Sequence, residues 1–228
     1  MSEIFGLSPK WSMGTGTMNH LTHGTCPREP LNKKNKKVYF MFFDTIETDR
    51  LIIREFNEGD FKSIHTYASK PEVTMYVPFG PNSEKDTELF LKKTIDWQIE
   101  NQRCDYELAV ILKQNCILIG SCGIHITNIS NKEGYIGYCY DNKYWRNGYA
   151  SESANAIIKF GFQELKLHRI FATCSPDNIG SVKVMEKIGM KKEGCLREHK
   201  LQKGKWRDSF IYSVLDYESS FDSRYLSP

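Results

Sequence analysis

The pattern of apolar and polar residues predicts alternating strands and helices from about residue 45 onward. Short runs rich in β-branched and aromatic residues are typical of strands, whereas apolar residues three and four positions apart are typical of helices. We predict strands at 50–56, 106–112, 116–127, 134–140, 168–174, 195–201 and 206–215. We predict helices at 57–70, 83–101, 151–165 and 179–189. This order predicts a mixed α/β domain whose strands first meander and then cross over through helices.

The predicted helix at 83–101 has a recognisable beginning and an apolar face. Ser83 followed three residues later by Asp86 is a capping-box pattern, in which each side chain accepts a hydrogen bond from the backbone of the other residue. Leu91, Ile95 and Ile99 then fall on one helical stripe. We therefore expect this helix to begin at Ser83 and to pack through that stripe.

Residues 1–44 read differently from the rest of the chain. They follow no strand or helix period and are rich in Gly, Thr, Asn, Pro and Lys, so we predict an unpacked N-terminal extension, either native or a leader. A domain at 45–218 and a short tail at 219–228 follow. The Lys33–Lys37 run could touch nucleic acid, but a solvated tail is the favoured interpretation because one short basic run is a weak signal.

Composition narrows the class of protein. The 228 residues are 40% hydrophobic and 26% charged, and a formal net charge of +3 is too small to indicate nucleic-acid binding. No stretch is apolar enough to cross a bilayer, and the N-terminus lacks the apolar core of a secretion signal. The seven cysteines form no Cys-x-x-Cys pair, which favours reduced thiols in a cytoplasmic protein. No histidine has a partner at metal-ligand spacing, so we predict no metal.

Residues 144–153 (YWRNGYASES) join a predicted strand to a predicted helix. A helix N-terminus presents free N–H groups and the positive end of the helix dipole, and both favour an anion. Gly148 lets the backbone approach that anion closely, and Arg146 adds a charge that can pair with phosphate. The segment has neither the Gly-Lys-Ser/Thr of a P-loop nor the glycines of a dinucleotide fingerprint. Taken alone, it is best interpreted as an ordinary turn.

Two motifs in order change that interpretation. Trp145–Ala150 matches an acyl-CoA loop written Gln/Arg-x-x-Gly-x-Gly/Ala, with Trp145 as the single departure. The second motif consists of Asp177-Asn178-x-x-Ser181, Glu186–Gly189 and Glu193-Gly194. Together they resemble the GNAT superfamily of acetyl-CoA-dependent N-acetyltransferases, most closely the ribosomal-protein-alanine acetyltransferase group. The resemblance covers about residues 45 to 218.

The resemblance implies a fold and a donor site. The GNAT fold has a central mixed sheet with helices on both faces and a splay between the strands here predicted at 134–140 and 168–174. The pantetheine arm of acetyl-CoA would lie in this splay, with the pyrophosphate on the amides of 146–150. The resemblance assigns acetyl-CoA contacts to Cys139, Tyr140, Asp141, Arg146, Asn147, Gly148, Tyr149, Ala150, Ser151, Asn178 and Ser181.

The implied reaction is direct attack of a primary amine on acetyl-CoA, with a protein N-terminus, such as that of a ribosomal protein, or a small amine as acceptor. By the family match Ser181 would protonate the leaving thiolate, although a serine is also an ordinary residue near a helix start. The related group often has a glutamate where this chain has Tyr135. Glu133, two residues earlier, shares that face in a strand and is the expected base, with His125 or a water relay as alternatives.

The departure at Tyr135 keeps a second function open, in which the protein is a non-catalytic acyl-CoA-binding sensor or a partner-binding module. Acetyl-CoA turnover would separate the two functions. The closing hairpin could support a homodimer, and no feature of the sequence names the acceptor amine.

Overall fold

The computed structural model describes residues 43–218, which form one eight-stranded sheet and four α-helices. The strands are β1 (Ile46–Glu47), β2 (Leu51–Glu55), β3 (Asp105–Leu112), β4 (Ile117–Asn128), β5 (Glu133–Tyr140), β6 (Arg169–Cys174), β7 (Lys191–Gln202) and β8 (Lys205–Leu215). The α-helices are α1 (Phe61–Ala68), α2 (Glu84–Gln98), α3 (Tyr149–Gln163) and α4 (Ile179–Lys187). The predicted tail, the Lys33–Lys37 run and all but the last two residues of the predicted extension lie outside the described residues.

The helix starts follow from local side-chain bonds. The predicted capping box of α2 is confirmed, since the Asp86 N–H donates to Ser83 Oγ at 3.2 Å and the Ser83 N–H donates to Asp86 Oδ2 at 2.9 Å. The predicted helix at 57–70 is shorter than expected. Asn57 caps a 3₁₀ turn at Glu58–Asp60 before α1 begins, and α1 ends at Ala68 ahead of a proline.

The sheet has the order β1-β2-β3-β4-β5-β6-β8-β7, and every neighbouring pair is antiparallel except β5 and β6. These two strands are parallel because α3 carries the chain back between them. Their ladder pairs only Glu133–Tyr135 with Arg169–Phe171, and the strands part beyond it. The predicted mixed sheet with a splay at this position is confirmed.

Helices cover both faces of the sheet. Ile157 of α3 and Met185 of α4 belong to a buried cluster with Leu108 and Ile124 of the sheet, and each such side chain contributes about 1.5–3 kcal/mol when it leaves water. On the other face, α1 and α2 pack in a second cluster, to which they contribute Ile64, Tyr67, Ala68 and Leu91. The first face therefore holds α3 and α4, and the second holds α1, α2 and the loop between them.

Three further observations concern residues 43–218 as a whole. None of their helices is both long and apolar enough to traverse a bilayer. They contain no group of three or more His, Cys, Asp or Glu that could hold a metal ion. Among the described residues, Cys122, Cys139 and Cys174 are buried free thiols, and Cys116 and Cys195 are exposed free thiols.

Candidate functional site

The loop between β5 and α3 presents a row of free amides. Arg146 and Gly148 both have left-handed backbone conformations, with φ of 63° and 81°, and Gly148 is the N-cap residue of α3. The first hydrogen bond of α3 runs from the Glu152 N–H to the Gly148 carbonyl at 3.0 Å. Within residues 43–218, the amides of 146–151 have no acceptor. This is the donor arrangement that binds anions at a helix N-terminus.

Side chains of the loop and of β2 fix its shape. The Trp145 indole N–H donates to the Tyr140 carbonyl at 2.9 Å. The Asn147 amide donates to the Tyr144 and Trp145 carbonyls at 3.2 and 3.0 Å, and the Asn147 carbonyl accepts from Arg50 Nη1 at 3.0 Å. Trp145, the departure from the family motif, thus has a structural role in this loop.

Positive charge surrounds the same helix end. The Arg50 guanidinium pairs with Glu152 and lies 4.6 Å from the centre of the Tyr149 ring. A Cβ atom at Gly148 would lie 3.5 Å from Arg50 Nη2 and 3.8 Å from Lys187 Nζ. Arg146 is exposed and pairs with no acid among the described residues. Partial burial by itself would raise the pKa of Glu152. The hydrogen bonds from Thr48 and Arg50 outweigh this effect and lower the pKa, so Glu152 stays ionised beside Arg50.

A cavity of about 520 Å³ opens where β5 and β6 part. Its floor is the sheet face that carries α1 and α2, and its walls are α1, the loop after it and the β7–β8 hairpin. The splay forms its inner end. The residues that line it include Glu107, His125, Tyr135, Gly137, Tyr138, Cys139, Asn178, Ser181, Lys200 and Arg207.

Three hydroxyl and amide groups meet at the inner end of the cavity. The hydroxyls of Tyr138 and Ser181 are 2.8 Å apart, and the Ser181 N–H donates to Asn178 Oδ1 at 3.1 Å. Asn178 is the N-cap of α4, so it holds Ser181 in the first turn of that helix. Burial raises the pKa of Tyr138, and its hydroxyl therefore keeps its proton at neutral pH.

A buried carboxylate lies on the cavity floor. Glu107 of β3 is paired with Gly123 of β4, which is paired with Gly137 of β5. A Cβ atom at Gly123 would lie 2.4 Å from Glu107 Oε2, so the carboxylate occupies space that a larger residue would fill. The Glu107 side chain is only 7% exposed and lines the cavity.

His125 lies behind this carboxylate. Its Nδ1 is 2.8 Å from Asp105 Oδ1, and its Nε2 is 3.4 Å from Glu107 Oε2. Burial by itself would lower the pKa of His125, but the hydrogen bonds and charges of these two acids raise it to about 9. The imidazole is therefore protonated at neutral pH, a state in which it cannot accept a further proton.

The structure separates the residues that the sequence singled out. The loop residues 146–151 form the amide row, whereas Cys139, Asn178 and Ser181 line the cavity. The side chains of Tyr140 and Asp141 bind other residues of the protein. The Tyr140 hydroxyl is hydrogen-bonded to the Ser153 hydroxyl, and Asp141 Oδ1 accepts a hydrogen bond from Lys70 Nζ at 2.7 Å.

Glu133 does not line the cavity. Its Oε2 pairs with Arg169 Nη1 at 2.9 Å, and its Oε1 accepts from the Thr127 hydroxyl at 3.3 Å. It lies at the end of β5 where the strands still pair, away from the splay. The cavity instead holds Glu107, which is not among the predicted site residues. Its sequence signal is that of a lone acid within the apolar run YELAVIL.

Comparison with known proteins identifies the family. A family model described as an acetyltransferase (GNAT) domain matches residues 50–191. The chain is 37% identical over 173 residues to the uncharacterized N-acetyltransferase YnaD of Bacillus subtilis, a match that covers 76% of this chain and 98% of YnaD. It is also 37% identical to a crystallised GNAT-family acetyltransferase of Bacillus anthracis, with a TM-score of 0.68 and coverage of 76% and 99%.

The expected similarity to the ribosomal-protein-alanine group is limited to a small part of the chain. The [ribosomal protein uS5]-alanine N-acetyltransferase of Escherichia coli is 32% identical over 80 residues, which cover 35% of this chain and 41% of that enzyme. Neither the family model nor these relatives support the alternative of a non-catalytic acyl-CoA-binding module. The chain belongs to the GNAT family of acetyltransferases and is an acyltransferase enzyme.

Proposed function

We propose that this enzyme transfers the acetyl group of acetyl-CoA directly to a primary amine bound in the cavity. The observation that carries the proposal is the splay between β5 and β6, which joins the Ser181 end of the site to a cavity floor that holds Glu107. Donor and acceptor would thus enter from opposite faces of the sheet and meet where the strands part.

The donor fits the α3 end of the site. The free amides of 146–151 and the nearby Arg50, Lys187 and Arg146 suit the two charges of a pyrophosphate. The edge of β5 beyond Tyr135, which β6 no longer pairs, can pair with the amide groups of the pantetheine arm. The loop and β5 thereby support the predicted acetyl-CoA contacts at Cys139–Asp141 and Arg146–Ser151.

Glu107 is the base that the geometry supports best. The amine nitrogen must lose a proton as it bonds to the thioester carbonyl carbon, and Glu107 accepts that proton directly or through water. Protonated His125, whose Nε2 lies 3.4 Å from Glu107 Oε2, places a positive charge beside the carboxyl group that would take this proton. Glu133 is disfavoured as the base by its pairing with Arg169 outside the cavity.

The leaving group departs at the other face of the splay. After the C–N bond has formed, the C–S bond breaks and the leaving thiolate of CoA takes a proton from the Ser181 hydroxyl, which regains one from water; the Tyr138 hydroxyl lies 2.8 Å from that of Ser181. A backbone N–H of β5 released from strand pairing by the splay stabilises the oxyanion of the tetrahedral intermediate. The products are an N-acetyl amide and free CoA.

Release of CoA thiol from acetyl-CoA, measured across a panel of N-terminal peptides, polyamines, amino acids and aminoglycosides, tests the proposal. Glu107→Gln should lower kcat about 100-fold or more while the KM for acetyl-CoA stays within a few-fold. Ser181→Ala should lower kcat for every acceptor.

Glu133→Gln is the matched control, because the same change is made in a carboxylate of the same sheet that lies outside the cavity. It should keep kcat within a few-fold of the parent. Loss of kcat in Glu133→Gln with full activity in Glu107→Gln would return the base to Glu133. Tight acetyl-CoA binding with no thiol release across the panel would instead favour the non-catalytic module.

A further inference from the structure

The β7–β8 hairpin places two positive side chains against the acceptor cavity. Lys200 of β7 and Arg207 of β8 are directly paired across the two strands, and both line the cavity. Directly paired residues of antiparallel strands project from the same face, and like charges in such a pair repel. The hairpin thus keeps an arrangement that costs free energy in the absence of an anion.

No acid of the described residues compensates these two charges. Lys200 Nζ donates to Thr173 Oγ1 at 2.8 Å and lies 5.8 Å from the centre of the Tyr135 ring. The ion pairs within residues 43–218 include neither Lys200 nor Arg207. Asp208 also lines the cavity, but one of its oxygens accepts from the Glu198 N–H at 2.8 Å.

The cavity therefore has two poles of opposite charge beside one aromatic ring. The Tyr135 ring is 6.4 Å from the His125 ring, which adjoins Glu107, and 5.8 Å from Lys200 Nζ. A negative pole suits the ammonium or amine of an acceptor, and a positive pole suits a second group of opposite charge. A polyamine would bring a further ammonium against Lys200 and Arg207, which is unfavourable.

Building on the proposed function, we infer that the natural acceptor carries a carboxylate a few bonds from its reactive amine, and that Lys200 and Arg207 bind this carboxylate while the amine faces Glu107. The planar guanidinium of Arg207 can bind both oxygens of a carboxylate, and Lys200 adds a point charge. Burial lowers the pKa of Lys200, and a bound carboxylate would favour its charged form. Free amino acids and peptides with an acidic residue near the N-terminus share this chemistry.

Paired probes test the inference. β-Alanine and γ-aminobutyrate are compared with their amides, and the peptide Ser-Glu-Ala amide is compared with Ser-Gln-Ala amide. The amino-acid pairs and the peptide pair separate the two sources of the carboxylate. Each probe is titrated into the CoA-bound protein by calorimetry and assayed for thiol release. In at least one pair we expect the carboxylate to bind about tenfold more tightly than its neutral partner.

Lys200→Met and Arg207→Met should each remove most of this preference, with little change for the neutral probes. Lys205→Met is the control, because Lys205 is an exposed lysine of the same hairpin outside the cavity. This variant should keep the preference for carboxylate probes. Equal binding of carboxylates and amides by the parent protein would overturn the inference. An equal fall of kcat for charged and neutral acceptors in Lys200→Met would also overturn it, since that result assigns Lys200 to the chemical step.

The binding readout separates this inference from the proposed function. Preferential binding of the carboxylates, abolished in Lys200→Met, supports the inference even where no thiol is released. Absence of thiol release with every probe would count against the proposed direct transfer and not against the carboxylate site.

Discussion

At the scale of single residues, the protonation of His125 links the cavity floor to the pH dependence of stability. His125 faces Asp105 and Glu107 of β3, and the rings of Tyr135 and Trp97 lie 6.4 and 6.0 Å from its own. Its pKa is about 9 in the folded protein, against an ordinary value of 6.5. Between these two values the folded state holds a proton that the unfolded state has lost.

We therefore predict that stability falls as pH rises through this interval. Because the folded pKa is raised, the contribution of His125 is complete below pH 6.5 and is lost as pH rises through about 9. Melting temperatures measured from pH 6 to pH 10 for the parent protein should fall more steeply across that window than those of His125→Asn. Parallel curves for the two proteins would show that the charged imidazole is not stabilised by the two acids.

The position of Glu133 in β5 explains both why the sequence predicts it as the base and why it lies outside the cavity. Its position two residues from Tyr135 puts both on one face of β5, which the strand period alone correctly indicates. Its Cα partner across the parallel ladder is Arg169, which binds the carboxylate. That pairing depends on the register between two strands separated by α3, which no local pattern in the sequence reveals.

At the scale of elements, Gly123 of β4 creates the space for Glu107. A Cβ atom at Gly123 would lie 2.4 Å from Glu107 Oε2 and 2.8 Å from the Tyr106 carbonyl oxygen. At Gly137 the nearest atom would be Tyr135 Cε1 at 3.4 Å, an ordinary contact. The two positions are Cα partners, so they form a matched pair for substitution.

Gly123→Ala should displace the Glu107 carboxylate and strain the β3–β4 pairing. We expect a loss of about 1–3 kcal/mol in the free energy of unfolding, and a fall in kcat with the KM for acetyl-CoA retained. Gly137→Ala should change both quantities much less. Urea denaturation and thiol release measure the two effects. Unchanged kcat in a folded Gly123→Ala protein would contradict the assignment of Glu107 as base.

Elements with strong local signals were predictable, and elements set by distant partners were not. The α2 capping box and the strand-to-helix turn at Gly148 before α3 depend on residues within a few positions of one another, so the sequence indicates both. Strand β1 has two residues and exists through its pairing with β2, and β7 begins at Lys191 rather than at 195 because it pairs with β8. The cavity floor likewise joins three strands through their register.

At the scale of the whole molecule, the sheet consists of two parts with a short junction. Strands β1 to β5 form one part and β6, β8 and β7 the other, and the parallel ladder between β5 and β6 pairs three residues of each strand. Helices α3 and α4 pack across the same junction in one cluster with both parts. Acetyl-CoA bound in the splay would add contacts to β5, to the α3 loop and to the start of α4. The donor should therefore strengthen the short junction between β5 and β6.

Hydrogen exchange can detect this effect. We expect acetyl-CoA to slow exchange of amides in 136–140 and 146–151 by about tenfold or more beyond the change in β3 and β4, because the ligand adds acceptors at the splay and the loop. Gly148→Val is the control, since a β-branched residue is strained at a φ of 81° and would distort the loop. At the same acetyl-CoA concentration, the Gly148→Val protein should show no slowing of exchange in 136–140 or in 146–151. Protection spread evenly over the sheet would mean that acetyl-CoA stabilises the molecule as a whole, without bridging its two parts at the splay.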